Sequence, residues 1–338
     1  MKRVVPVSDM HEDYLSLDSG RQLRGACAIT VILHHLAQRC DDGLVIHAFD
    51  NAGVLAVAVF FFLSGYGLQK SHIQKADYSK HFLLRRLPGI LLPYAIVTCL
   101  FWGMYALNGT FYDLLDIVMS MLHGKPIVLF SWYILSILLF YIVYALLMKI
   151  FRKRYWGLIL GACLWHVLYI IICMKMHFNV CWYNASSLFI LGMLWATYEP
   201  KMNAVCSRYY LWLAPVVWIS FLLLFIFNDA IASWTSIKGT LLLLSVVYAL
   251  LFVPAILLFT MKFKIGNRVL SYLGKISLEL YLVQGLLIVG LRSRMLHIPS
   301  DTLWACMTVA GSVLLAAGLN ALTGLFLKKY RQWLRAWL

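Results

Sequence analysis

Apolar residues in this chain come in long unbroken blocks, each of roughly 18 residues or more, the length an α-helix needs to cross a bilayer. A helix on a soluble protein keeps a polar face, and these blocks have none. Apolar residues make up 62% of the 338-residue chain and charged residues 13%, whereas a soluble domain carries about 25% charged residues. A transmembrane barrel is excluded too, because its strands alternate in polarity. The blocks therefore predict an all-α, polytopic integral membrane protein forming a single domain over residues 1–338. Ten spans are expected, with cores at 23–37, 52–68, 87–107, 127–148, 155–174, 181–197, 209–227, 239–261, 276–291 and 303–327. The sixth is interrupted by Asn184, Ser186 and Ser187.

Lys and Arg accumulate on the cytoplasmic side of membrane proteins. With ten spans, 23 of the 29 basic residues fall on one side, in the N-terminal segment, alternate loops and the tail from Lys328. The other side holds only Arg39, Lys125, Lys175, Lys238, Arg292 and Arg294. Both termini are thus expected in the cytoplasm, and the net charge of +15 reads as a topology signal. It does not read as nucleic-acid binding, since no basic segment interleaved with aromatics lies on a soluble surface. A basic cytoplasmic face attracts anionic lipid headgroups and a polyphosphate cosubstrate. The tail at 328–338 is basic and aromatic and is expected to lie on the headgroups as a short amphipathic helix. The eight cysteines are scattered without a CxxC pair and are expected to be free thiols.

Polar groups inside these blocks are expensive in lipid and mark sites. Arg24 and His35 lie eleven residues apart within the first span. At about 100° per residue both fall on one helix face, about 16 Å apart along the axis. His34 lies about 100° off that face and reads as a packed or hydrogen-bonded neighbour. In the second span Ser64-Gly65 allows close backbone approach. The following loop brings Arg85 and Arg86, whose forked guanidinium groups suit phosphate oxygens. Trp132 and Tyr133 open the fourth span and taken alone are interfacial anchors. Glu279 and Gln284 in the ninth need partners, and Lys275 lies four residues before Glu279. No His, Cys or acidic grouping has metal-ligand spacing.

Taken in order, Leu-Arg-Gly…His-His (23–35), Phe-Phe-x-Leu-Ser-Gly-Tyr (60–66), Arg-Arg…Pro-Tyr (85–94), Trp-Tyr-Ile (132–134) and Leu-Gly-x-Ile-Ser-Leu-x-x-Tyr-Leu (273–282) form a set that resembles acyltransferase family 3. The resemblance runs from about residue 18 to residue 290. It implies a multi-pass enzyme of the cell membrane that moves an acyl group, most often acetyl, from acetyl-CoA or another acyl-CoA to a hydroxyl. The acceptor it implies is a carbohydrate, a lipid-linked glycan or a small hydroxylated metabolite, with membrane lipids around the protein and no metal. His35 corresponds to the family's catalytic histidine, and Arg24 to the arginine that supports the site. Arg86 corresponds to the first arginine of the family's basic motif on the donor side, with Arg85 as the candidate substitute for the second. His34, Ser64, Gly65, Trp132, Tyr133, Glu279 and Gln284 are candidates for substrate contact or structural support. The chain departs from the family at Gly89, where a second arginine is usual, at Ala58, where an acid is common, and at Gln284, where a histidine is common.

Acyl transfer to an alcohol needs a base for the hydroxyl proton. A neutral imidazole is the form that an apolar helix favours, so His35 fits, as direct base or as acyl carrier. Two rival readings stand beside this one. A transporter also places polar residues inside spans, but no inverted repeat of broken helices is visible. A non-catalytic membrane partner of a glycan-modifying system is the other. Oligomeric state is left open by the sequence.

Overall fold

The computed structural model of the protein describes residues 10–11, 13–41, 45–235 and 239–337. Among these residues there is no strand, and thirteen α-helices carry the fold. They are α1 (Leu17–Ala37), α2 (Ala52–Gln74), α3 (Phe82–Arg86), α4 (Pro88–Leu107), α5 (Leu114–Leu122), α6 (Trp132–Phe151), α7 (Tyr155–Lys175), α8 (Ser187–Ile226), α9 (Asn228–Thr235), α10 (Thr240–Lys262), α11 (Arg268–Lys275), α12 (Ser277–Gly290) and α13 (Asp301–Trp337).

Seven of the described helices are long and apolar enough to cross a membrane, namely α2, α4, α6, α7, α8, α10 and α13. An eighth arises if α11 and α12, bent by 76° at Ile276, act as one span. The chain is a multi-pass membrane protein. Helix α1 falls short of the same measure because Arg21, Arg24, His34 and His35 dilute its apolar run. The blocks expected as sixth and seventh spans are continuous in α8, whose helical geometry fails only at Tyr198 (φ −113°, ψ 18°). Pro200 explains the break, since it cannot donate the amide bond to Ala196. Glu199 anchors the break by pairing with Lys70 and accepting a 3.0 Å hydrogen bond from the Tyr66 hydroxyl. The basic tail is the final stretch of α13, which runs unbroken to Trp337. The eight cysteines are free.

Helix α2 is the most enclosed span, with 78% of its apolar window buried. It reaches that state by touching α8 backbone to backbone. A Cβ on Gly65 would fall on the carbonyl oxygen of Phe189, and one on Gly192 would fall on that of Phe62. Ser64-Gly65 is therefore the packing notch that its small side chains suggest. Helix α1 is clasped by α11 in the same way, through Gly25 against Leu270 and Gly274 against Arg21.

Gly67 lies two residues from Gly65 in α2, yet nothing approaches within 4 Å of its Cβ position. Adding a methyl at these two sites should have opposite signs. Gly67→Ala should leave stability unchanged or raise it by up to about 1 kcal/mol through helix propensity. Gly65→Ala should lower it by about 1–3 kcal/mol through overpacking. Thermal unfolding in detergent measures both, and equal midpoints would contradict the α2–α8 contact.

Candidate active site

The final turn of α1 carries His34 and His35 to one end of the bundle, and each ring is held differently. The two nitrogens of His34 are both engaged. Nδ1 lies 3.1 Å from the Phe49 carbonyl oxygen and Nε2 lies 3.2 Å from the Gln38 side-chain nitrogen. The tautomer that satisfies both contacts donates from Nδ1 and accepts at Nε2. His35 is buried, and its Nδ1 has no hydrogen-bond partner. Its ring stacks on Phe130, with centroids 3.5 Å apart and planes 7° from parallel.

Phe130 sits in the left-handed region (φ 67°), a conformation that costs a residue with a side chain about 1–2 kcal/mol. Its surroundings hold it there. The Tyr281 hydroxyl donates to its carbonyl oxygen at 2.6 Å, and the guanidinium of Arg39 lies 5.1 Å from the ring centre. Arg39 also donates to the carbonyl oxygen of His35 at 3.3 Å. Arg292 then secures that corner. It donates to the Arg39 carbonyl oxygen at 3.0 Å, pairs with Asp301 and lies 3.9 Å over the Trp304 ring.

His34 and His35 line a cavity of about 640 Å³ together with Gln38, Asn51, Lys125, Phe130, Trp132, Asn179, Trp182, Asn184 and Tyr281. This volume lies in the range of small-molecule sites. Two indoles, 6.4 Å apart, share the wall with amide side chains. Such a wall offers an apolar face and several donors and acceptors to a polar, hydroxylated ligand.

Arg24 lies at the other end of α1. It is half-buried, its Nε donates to the Gly20 carbonyl oxygen at 3.2 Å, and its electrostatic neighbours include Tyr141, Tyr133 and Arg86. Arg86 donates to the Tyr78 hydroxyl at 3.1 Å. Burial pushes the Tyr78 phenol above its ordinary value, against the pull of that guanidinium. Lys75, Tyr78, Phe82, Arg85 and Arg86 surround a second cavity of about 280 Å³. Arg24, Arg85 and Arg86 therefore lie away from His35, whereas Arg39 and Arg292 stand at its end. Between the two ends stand Tyr133 and Tyr281, both buried, with rings 5.5 Å apart. Ser64 lies 3.5 Å from the Tyr133 hydroxyl, so the notch of α2 also touches this pair.

One sequence expectation needs adjustment. Glu279 is not paired with Lys275. It accepts a 2.9 Å hydrogen bond from Asn320 of α13, because the bend at Ile276 puts Lys275 on a different helix. Gln284 is fully buried outside the cavity wall and donates to the Tyr281 carbonyl oxygen at 3.2 Å. Trp132 lines the cavity, whereas Tyr133 is not part of its wall and meets the Trp132 ring edge-on. Phe130, Tyr281, Trp182 and Arg39 were missed as site residues. Tyr281 stood inside a recognised motif, and Asn184 was a polar interruption of an apolar block. Phe130 and Arg39 carried no signal of their own. Among the described residues no three His, Cys, Asp or Glu side chains come together in a way that could hold a metal ion.

No curated protein and no solved structure matches the chain. A family model described as an acyltransferase domain matches residues 17–321, which covers α1 through most of α13 and every residue of the site just described. A multi-pass helical bundle with a buried histidine at one end of its first helix and arginines at the other thus belongs to acyltransferase family 3.

Proposed function

We propose that this acyltransferase is an O-acyltransferase, in its simplest form an O-acetyltransferase, that takes its acyl group from an acyl-CoA thioester. The acceptor is a hydroxyl of a carbohydrate or lipid-linked glycan held in the cavity beside His35. The observation that carries the reading is the His35 ring, fixed flat against Phe130 in the wall of a cavity rich in indole and amide groups. In this reading α1, α2, α4, α6, α7, the two arms of α8 on either side of Tyr198, α10, the bent pair α11–α12 and α13 make ten crossings. Both termini then face the cytoplasm, and the arginine end of α1 faces the donor. The membrane is the cell membrane.

His35 accepts the proton of the acceptor hydroxyl as that oxygen attacks the thioester carbonyl carbon. The new C–O bond forms, the C–S bond breaks, and the imidazolium returns its proton to the departing thiolate. The alternative route places the acyl group on the imidazole first and transfers it in a second step. His34 does not compete as a base, since both of its nitrogens are already engaged. Arg24 and Arg86 supply the positive potential that draws an anionic donor to their end of α1. A transport function has less support, since the polar groups converge on a walled cavity and a basic end.

Three outcomes are expected. His35→Gln should lower labelled acetyl transfer in membranes by about a hundredfold or more, at unchanged protein level. Normal transfer in that variant would remove the basis of the proposal. Phe130→Leu should leave donor KM near its normal value and lower kcat by roughly ten- to a hundredfold, because the imidazole loses its alignment. Phe130→Tyr should restore most of the rate, and a KM effect alone would contradict positioning. Arg86→Ala should raise the KM for acyl-CoA at least several-fold in steady-state assays, and an unchanged KM would count against a donor site at this end.

A further inference from the structure

The matched family region stops at residue 321, yet α13 continues to Trp337. This extension is docked on the bundle. The Tyr330 hydroxyl donates to the Leu84 carbonyl oxygen at 3.1 Å, and Leu334 is buried. Docking brings Arg331 and Arg335 to Arg85, and the three arginines with Leu334 line, among the described residues, a cavity of about 610 Å³.

Arg331 and Arg335 stand four residues apart on one helix face, where like charges oppose each other. Arg85 adds a third positive charge. Among the described residues no carboxylate pairs with any of the three. Converging guanidinium groups without a counter-charge are a receptor for phosphate oxygens. Arg85 is also shared with the neighbouring cavity that holds Lys75 and Arg86. The carboxylate of that second cavity, Asp77, is already paired with Lys80 at 2.9 Å. A ligand lying across both cavities meets cations in two groups, which suits an anion with two separated phosphate centres.

We propose that Arg331 and Arg335 of the α13 extension complete, with Arg85, a binding site for the phosphate groups at the nucleotide end of the thioester donor. This inference rests on the acyl-CoA reading above and adds to it a part of the chain outside the family region. The extension is a donor clamp fixed by packing. It is not simply a basic tail spread on lipid headgroups.

The test uses the purified full chain in nanodiscs of neutral lipid, with binding of CoA, dephospho-CoA and pantetheine measured by calorimetry. The variants are Arg331→Gln/Arg335→Gln and its charge-retaining counterpart Arg331→Lys/Arg335→Lys. The glutamine pair should weaken CoA binding roughly tenfold or more, as expected when charged hydrogen bonds to phosphate are lost. Pantetheine, which has no phosphate, should bind both forms alike. The lysine pair should keep most of the affinity, and unfolding midpoints should match across the set. Equal CoA affinity in the glutamine pair and the parent overturns the clamp while leaving the acyl-CoA reading intact. Absence of CoA binding by the parent protein overturns both. If the glutamine pair changes only the response to added anionic lipid, the cluster is a headgroup site and the donor assignment falls.

Discussion

A helix with two arginines and two histidines cannot face lipid, and the rest of the bundle is organised around that constraint. Charged and polar groups at membrane depth are stable only where protein encloses them. Helix α1 gains that enclosure through contacts that leave no room for side chains. Gly25 meets the Leu270 carbonyl, Gly274 meets the Arg21 carbonyl, and the Cβ position of Gly53 falls on the His34 ring. Each clasp excludes lipid from a different level of the same helix. The bend at Ile276 follows from this, because α11 must cross α1 closely while α12 turns to run beside α13.

Enclosure also divides α1 into two chemically different ends. At one end an imidazole is held by ring stacking, and its partner Phe130 adopts a strained backbone that Tyr281 and Arg39 maintain. Strain of this kind persists only where the surroundings over-determine it, and it concentrates at functional sites. At the other end guanidinium groups gather, Arg86 bonding the Tyr78 hydroxyl and Arg24 the Gly20 carbonyl oxygen. Arg39 already stands beside the imidazole, and positive charge disfavours a protonated imidazole, so it matters that the larger group of Arg24, Arg85 and Arg86 sits at the opposite end of α1. Three turns of helix keep Arg24 and His35 about 16 Å apart.

The sequence made the helices legible because their apolar blocks are bounded by charges, and lipid tolerates little ambiguity there. It singled out His35 because four further motifs stand in register with it; an imidazole in an apolar block is not enough, since His166 of α7 is buried and simply bonds Ser186. What it hid depended on contacts between distant positions. Phe130 looks like an ordinary apolar residue, and its role comes from a backbone angle and from a ring 95 positions earlier in the chain. Lys275 looks like the partner of Glu279 only if the helix is continuous, and the 76° bend falls between them. The basic tail gave no sign that Tyr330 would bond the Leu84 carbonyl of α3, or that Leu334 would be buried beside Arg85.

If the function proposed above holds, the separation of the two ends limits the kind of donor that can serve them. A ligand gripped by phosphates at Arg85 and Arg86 and reacting at His35 must reach along most of α1, about 16 Å from Arg24 to the imidazole. A small acyl phosphate cannot occupy both ends at once, whereas a nucleotide joined to its thioester by a long, thin arm can. That arm has to follow α1 past Tyr133 and Tyr281, whose packed rings stand between the arginines and the cavity. The same Tyr281 hydroxyl holds the Phe130 carbonyl. In the proposed reading, passage of the arm and alignment of the imidazole act on one side chain, which would couple arrival of the donor to the readiness of the base.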